Sequence, residues 1–372
     1  MLTNTSKYTE IMTDLIHEQN NFDFLRVLAA SLVIISHSFP LSGLIEPNYS
    51  NLITLGSIGV YIFFIISGFL ITQSWDNTNN TVAFLWKRGL RIFPGLIFAS
   101  IIATFIIGIS VTSLPILDYL KDIQTYRYFF LAMFFPFWNF IPLDYLPGVF
   151  ENNPMTFVNG PLWTLVYEWG MYLLLLGLGL LGIIKKRLPS LLIISTIFII
   201  YFYEMYILQL FNNQFLNSQV KIFLPLFLLF FISSGLYYFT RTKKFSTTVF
   251  ILSLIFLVLA SFTNYFLIFF IVTLPYIVLY IAHYPIPKLN KLSRFGDISY
   301  GLYIFAWPMQ QTILVFFKDI QIGVYILCSF LLTIPIAYLS WNFVESKALS
   351  HKKDVHDIRS LKEKLRQLVK II

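Results

Sequence analysis

Charge is what this sequence has least of. Only 12% of its 372 residues are Asp, Glu, Lys or Arg, about half the ~25% of an ordinary soluble domain. That shortage excludes a soluble enzyme and a disordered regulator alike. Cysteine occurs once, as Cys328, so no internal disulfide can form, and a disulfide-stapled fold is excluded. Glycine and proline are sparse, at 17 and 16 residues, which rules out collagen-like and low-complexity chains. The first twenty residues lack the basic-then-apolar layout of a cleaved signal peptide, so none is expected. No internal repeat, heptad array or appended soluble domain is visible, and no metal or bound cofactor is expected.

Apolar and aromatic residues take the room that charge leaves. They make up 57% and 19% of the chain, with 40 Phe and 22 Tyr, and they point to lipid as the main solvent. A bilayer core needs roughly 20 apolar residues per helix. Cutting the chain at polar and Pro/Gly-rich interruptions therefore predicts an all-α, polytopic membrane helix bundle of about ten transmembrane helices. They fall at about 25–44, 52–73, 92–112, 160–184, 190–210, 222–240, 247–262, 265–282, 297–317 and 322–343. The seventh is short. A further apolar stretch, Tyr128 to Phe140, is too brief at about 13 residues and reads as re-entrant or interfacial.

The basic residues are spread very unequally over the alternate loops. Of the 26 Lys and Arg, 22 fall on one side, and only Lys121, Arg127, Lys221 and Lys318 on the other. By the positive-inside rule the basic side is cytoplasmic, which puts both termini there. The formal charge of +8 then reflects topology, and no nucleic-acid partner is expected. Residues 1–344 are read as the transmembrane domain and 345–372 as a basic cytoplasmic tail. In that tail Val355, Ile358, Leu361, Leu365, Leu368 and Ile372 recur at helical spacing. Two readings stand for it: a helix lying on anionic membrane lipid, or a solvated charged segment.

An ionisable group inside hydrocarbon costs at least ~2.5 kcal/mol, so each one asks for a reason. Arg26 and His37 are eleven residues apart on the first predicted span. Eleven steps of 100° close three turns with only ~20° left over, so both side chains share one face, about 16 Å apart along the axis. His37 comes near mid-bilayer with Arg26 at the cytoplasmic rim. Glu168 enters from the other side and reaches about the same depth as His37. A carboxylate on one imidazole nitrogen fixes the tautomer and raises the basicity of the other, so the two can act as base and orienting partner. The alternative is a packing pair that satisfies its own polarity. Arg88 and Arg91, within Lys87-Arg88-Gly89-Leu90-Arg91, sit on a loop as the third span begins. They make either a fork for phosphates or simply the basic rim that topology requires.

Taken together and in order, these segments resemble the acyltransferase-3 family of integral membrane acyltransferases. The resemblance runs nearly end to end. The Arg26 to His37 spacing is similar to that family's first-helix signature, and the run from Gly59 to Leu70, with Ser67 and Gly68, to its second-helix motif. Lys87 to Pro94 resembles its arginine loop, Trp163 to Glu168 a segment that usually reads Trp-Ser-Leu and then Glu. Ser299 to Tyr303, Trp307-Pro308 and Phe343-Val344-Glu345 complete the series.

The resemblance implies acyl transfer, usually of acetyl from acetyl-coenzyme A to a hydroxyl of a cell-surface or lipid-linked carbohydrate, by a multi-pass protein of the plasma membrane, the inner membrane in bacteria. It implies that His37 and Glu168 are catalytic and that Arg26, Arg88 and Arg91 bind the donor's phosphates. Ser67, Gly68, Trp163, Tyr303 and Gln310 are candidates for substrate contact or for packing. An outer loop over 113–159, with Trp138, Asn139, Tyr145 and Asn152, would either meet the sugar or pack as a lid. Four positions depart from the pattern: Tyr61 stands for an acidic residue, Thr164 for serine, and Ala306 for a histidine, while Glu345 lacks a following proline. Ala306 leaves His37 to carry the acid–base role alone. The rival readings are a transporter or flippase of lipid-linked sugars, which would need a similar span count, and a membrane sensor or scaffold.

Overall fold

The computed structural model describes residues 20–49, 53–134, 145–185, 187–203, 214–284, 286 and 296–353. Most of them are helical. Helix α1 (Phe22–Leu41) is followed by a short antiparallel pair, β1 (Asn48–Tyr49) with β2 (Ile53–Thr54), and then by α2 (Leu55–Thr78). A long third helix, α3 (Thr81–Val111), leads to two short ones, α4 (Ile116–Lys121) and α5 (Ile123–Met133). A single 3-10 turn at Gly160–Leu162 opens α6 (Trp163–Leu180). There follow α7 (Arg187–Tyr203), α8 (Gln214–Thr240), α9 (Thr247–Ala260), α10 (Phe266–His283), α11 (Ser299–Phe316) and α12 (Ile322–Ser340). α12 continues through a π-helical turn, Trp341–Glu345, into Ser346–Ser350.

Among the described residues, seven helices are long and apolar enough to cross a membrane. They match the first, second, third, fourth, sixth, eighth and tenth predicted spans. The other three predicted spans are helical too: α7 with 17 residues, α9 with 14 and α11 with 18. The apolar stretch that begins at Tyr128 ends, in its described part, within the 11-residue α5, which is too short to cross. Large apolar side chains stay open on the helix exteriors, among them Leu252, Val258 and Leu331, each about 60% exposed. Such surface is stable against lipid tails, not against water.

The third helix corrects the reading of the basic motif. Lys87, Arg88 and Arg91 were expected on a loop before a span starting near residue 92, whereas α3 begins at Thr81. Asn79 turns the chain in a left-handed conformation, and the Asn80 side chain then accepts from the Ala83 amide at 2.9 Å, capping the helix. Hydropathy does not see such a polar start. At 1.5 Å per residue the 31 residues span about 46 Å, against a ~30 Å hydrocarbon core. The first turns can therefore be charged while the helix stays continuous. Further along, Ile102–Ile107 is a π-helical turn, and there the Tyr119 hydroxyl donates to the Thr104 carbonyl at 2.7 Å. Burial pushes that phenol above its ordinary pKa and keeps it a donor.

The residues group into two compact units. One comprises Met1–Ser36, Glu46–Gln73 and Leu173–Ser299, the other His37–Ile45, Ser74–Tyr172 and Tyr300–Ile372. In the first, α2 and α8 approach so closely that a Cβ on Gly68 would stand 2.1 Å from the Phe230 carbonyl oxygen. The Thr72 and Ser234 hydroxyls join the same two helices at 2.8 Å. Phe22, Phe69, Tyr237, Phe245 and His283 make an aromatic cluster nearby. The Arg26 guanidinium is held between Asp23 at 3.1 Å and Asp297 at 3.0 Å.

Candidate active site

The second unit is organised by one face of α11. Tyr300, Tyr303, Trp307 and Gln310 follow at steps of three and four residues, which stacks them in one row about 15 Å long. Each meets a different polar group.

At the start of the row the Arg91 guanidinium lies 5.8 Å from the centre of the Tyr300 ring. The Tyr300 hydroxyl donates to the Ile92 carbonyl at 2.9 Å. Beside it the Glu345 carboxylate, 1% exposed, accepts from Ser340 Oγ at 2.7 Å. Arg88 repeats the arrangement with other partners. Its guanidinium lies 6.0 Å from the centre of the Tyr172 ring, and the Tyr172 hydroxyl donates to Glu168. A cation over an aromatic face gains most where water is partly excluded, so the ring contact helps hold each arginine in place.

One turn further along, the Tyr303 hydroxyl and Thr164 Oγ1 are 2.8 Å apart, and Glu168 lies within electrostatic range of both Tyr300 and Tyr303. Then comes Trp307, against which the His37 ring packs edge to face, with centroids 4.9 Å apart and planes at 80°. His37 Nδ1 is buried and has no hydrogen-bond partner. The row closes with Gln310, whose Nε2 donates to Ser38 Oγ, the neighbour of His37, at 2.8 Å.

A strap of chain, residues 153–161, runs along the same helix. Pro308 has no amide proton, so the Ile304 carbonyl loses its usual donor inside the helix. Asn159 Nδ2 supplies the missing bond at 2.9 Å. The Trp307 indole donates to the Phe157 carbonyl at 2.8 Å, and Gln311 Nε2 donates to the carbonyls of Met155 at 2.7 Å and Phe157 at 3.0 Å. Asn153 Nδ2 donates to the Gln311 backbone and side-chain oxygens, at 3.0 and 2.8 Å. The described end of the 113–159 segment is thus packed onto the protein, while Tyr145 and Asn152 stay exposed. Trp138 and Asn139 lie outside the described residues, as does the tail from Val355 onward.

Several expectations need correction. Glu168 was expected to orient the imidazole, yet Nδ1 carries no carboxylate and Glu168 is bonded by Tyr172 instead. The reason is local: Tyr172 is four residues on in the same helix, so its hydroxyl reaches the carboxylate without any second helix having to align. Glu168 lies within electrostatic range of Tyr300 and Tyr303, and the His37 ring packs against Trp307, one turn beyond Tyr303 on α11. Arg26 does share a helix with His37, but two carboxylates already balance its charge. Gly68 closes a helix contact, Ser67 is half-buried, and Trp163 is exposed with its ring edge to face with Tyr167. The amide groups of Gln310 and Gln311 both donate to protein partners.

Tyr172, Tyr300, Trp307, Asn153 and Asn159 were not singled out as site residues from the sequence. The Glu168–Tyr172 spacing and the Tyr300, Tyr303, Trp307, Gln310 ladder were signals available for some of them. Nothing local announces the asparagines.

The profile of the acyltransferase-3 family, described as an acyltransferase domain, matches residues 19–342. An O-acetyl transferase of Shigella phage Sf6 is 27% identical over 352 residues, which covers 90% of this chain and 97% of the phage protein. Nodulation protein 10 of Rhizobium leguminosarum bv. viciae is 32% identical over 164 residues, 42% of this chain and 43% of that one. No solved structure matches the chain. Aligned along almost its whole length and built from helices that can cross a bilayer, the chain belongs to the acyltransferase-3 family and is a multi-pass membrane acyltransferase.

Proposed function

We propose that the protein moves an acyl group, in the simplest case acetyl, from acyl-coenzyme A to a hydroxyl of a cell-surface or lipid-linked carbohydrate in the bacterial inner membrane. The observation that carries this reading is the α11 row, which runs from Arg91 over the Tyr300 ring to a buried imidazole whose Nδ1 has no hydrogen-bond partner, with Arg88 held over Tyr172 of α6. The polyanionic donor is cytosolic. Its phosphates are bound by Arg88 and Arg91, and its pantetheine arm bridges the roughly 10 Å along α11 from the level of Tyr300 to that of Trp307. His37 takes the proton of the acceptor hydroxyl as that oxygen attacks the thioester carbonyl. The carbon–oxygen ester bond forms, the carbon–sulfur bond breaks, and the coenzyme A thiolate leaves and recovers a proton. Glu168, with the Tyr172 hydroxyl on it, supports the charge between the two ends. The relative named as an O-acetyl transferase supports an oxygen acceptor and an acetyl donor.

The decisive experiment is the mass of the surface glycan from cells with and without the gene. Each acetyl adds about 42 Da to a repeating unit, and a glycan of identical mass in both strains would rule out this acceptor class. For the donor side, Arg88→Ala and Arg91→Ala are each expected to raise the KM for acetyl-coenzyme A about 10-fold or more, with the saturated rate falling less. An unchanged donor KM in both variants would count against phosphate binding there.

A further inference from the structure

We propose that Trp307 is the positioning residue for His37: it sets the plane of the imidazole, and through it the rate of proton transfer, without setting how tightly the donor binds. This rests on the reading of His37 as the base. A histidine that takes a proton on one nitrogen ordinarily has its other nitrogen tied by a hydrogen bond, which fixes both tautomer and ring orientation. His37 Nδ1 has no such tie. The last side-chain torsion of histidine is broad and roughly two-fold, so a ring without that hydrogen bond turns unless something packs against it. What packs against it is the indole of Trp307, edge to face at 4.9 Å and 80°.

The indole, in contrast, cannot turn. Its N–H donates to the Phe157 carbonyl at 2.8 Å, and its benzo edge is backed by Gly160, where a Cβ would come within 3.0 Å of ring carbons. Asn159, just before that glycine, is fastened to the Ile304 carbonyl that Pro308 leaves without a donor. Orientation therefore passes from the strap to the indole and from the indole to the imidazole. Ser38, adjacent to His37, is held by Gln310 from the same helix face, so the backbone bearing the imidazole is anchored to α11 as well.

The test compares Trp307→Leu, Trp307→Phe and Gly160→Ala in reconstituted full-length protein. The donor is labelled acetyl-coenzyme A, the acceptor is lipid-linked glycan extracted from membranes of cells lacking the gene, and rates are taken per folded molecule. Trp307→Leu removes the ring and is expected to lower kcat by about 10- to 100-fold, the scale of a ~1 Å misplacement, while the KM for acetyl-coenzyme A stays within about twofold. Trp307→Phe keeps an edge-to-face ring and is expected to recover kcat to within about fivefold of the parent. Gly160→Ala pushes the indole from behind and should lower kcat with the donor KM again unchanged. If Trp307→Leu fails to fold, Gly160→Ala decides, and a parental kcat there overturns the inference. So does a parental kcat for Trp307→Leu, or a Phe variant as slow as the Leu variant. His37→Ala, run beside them, separates the two layers. Should it still transfer acetyl, the base assignment itself is wrong; should it be inactive while the Trp307 variants run at the parental rate, only the positioning role is lost.

Discussion

His37→Ala is expected to reduce acyl transfer by about 10²- to 10⁴-fold, the usual worth of a positioned general base, and to leave the protein folded. The chemistry of the groups around the α11 row favours this residue. Arg88 and Arg91 stay protonated and cannot accept a proton. The Tyr172 and Tyr300 hydroxyls are already donating, to Glu168 and to the Ile92 carbonyl. Glu345 is fully enclosed and bonded by Ser340. The imidazole combines a lone pair available at neutral pH with a buried nitrogen that has no hydrogen-bond partner. Because Arg91 sits over Tyr300 and Arg88 over Tyr172, while His37 packs on Trp307, the KM for acetyl-coenzyme A should change little, and the loss should appear in the saturated rate. Parental turnover by the alanine variant, measured with labelled donor on reconstituted protein, would remove His37 from the chemistry.

Gly68→Ala is expected to abolish the folded protein or nearly so. Alanine favours a helix by about 1 kcal/mol over glycine, and in an exposed helix that would stabilise. Here the new methyl would stand 2.1 Å from the Phe230 carbonyl oxygen, a backbone atom that cannot swing away as a side chain would. Overpacking ordinarily costs about 1–3 kcal/mol, and a clash with main chain lies at the upper end or beyond. The clash therefore wins over the propensity gain. Size-exclusion profiles and melting curves in detergent read this directly, with Ser67→Ala as the comparison. A Gly68→Ala protein as stable as the parent, with activity lost, would instead favour substrate contact at that position.

Much of the fold is legible in the amino-acid sequence because lipid imposes one rule: backbone polarity must be satisfied within each segment, so long apolar runs become helices. The first and eighth spans follow from that rule with their ends nearly right. The rule fails where polarity is deliberate. α3 starts eleven residues before its apolar run because Asn80 caps a charged beginning. The site divides in the same way. Arg26 and His37 lie on one helix, as the apolar run predicts. The partners of Glu168 depended on a choice between a near hydroxyl and a distant imidazole, and the near one, one turn away, prevails. The link between Asn159 and Ile304 spans 145 residues, and no periodicity encodes a contact that exists only because a proline elsewhere has left a carbonyl without its donor.

That long link also bears on how the molecule is made. Ribosomes add about 5–20 residues per second, so the strap emerges roughly 7–30 s before the carbonyl it fastens to. Throughout that interval Asn153 and Asn159 have no mate, and the stretch around them must linger in water or at the translocation machinery before its anchor arrives. The unit that holds His37 can thus be completed only late in biogenesis, when α11 has been delivered to the bilayer.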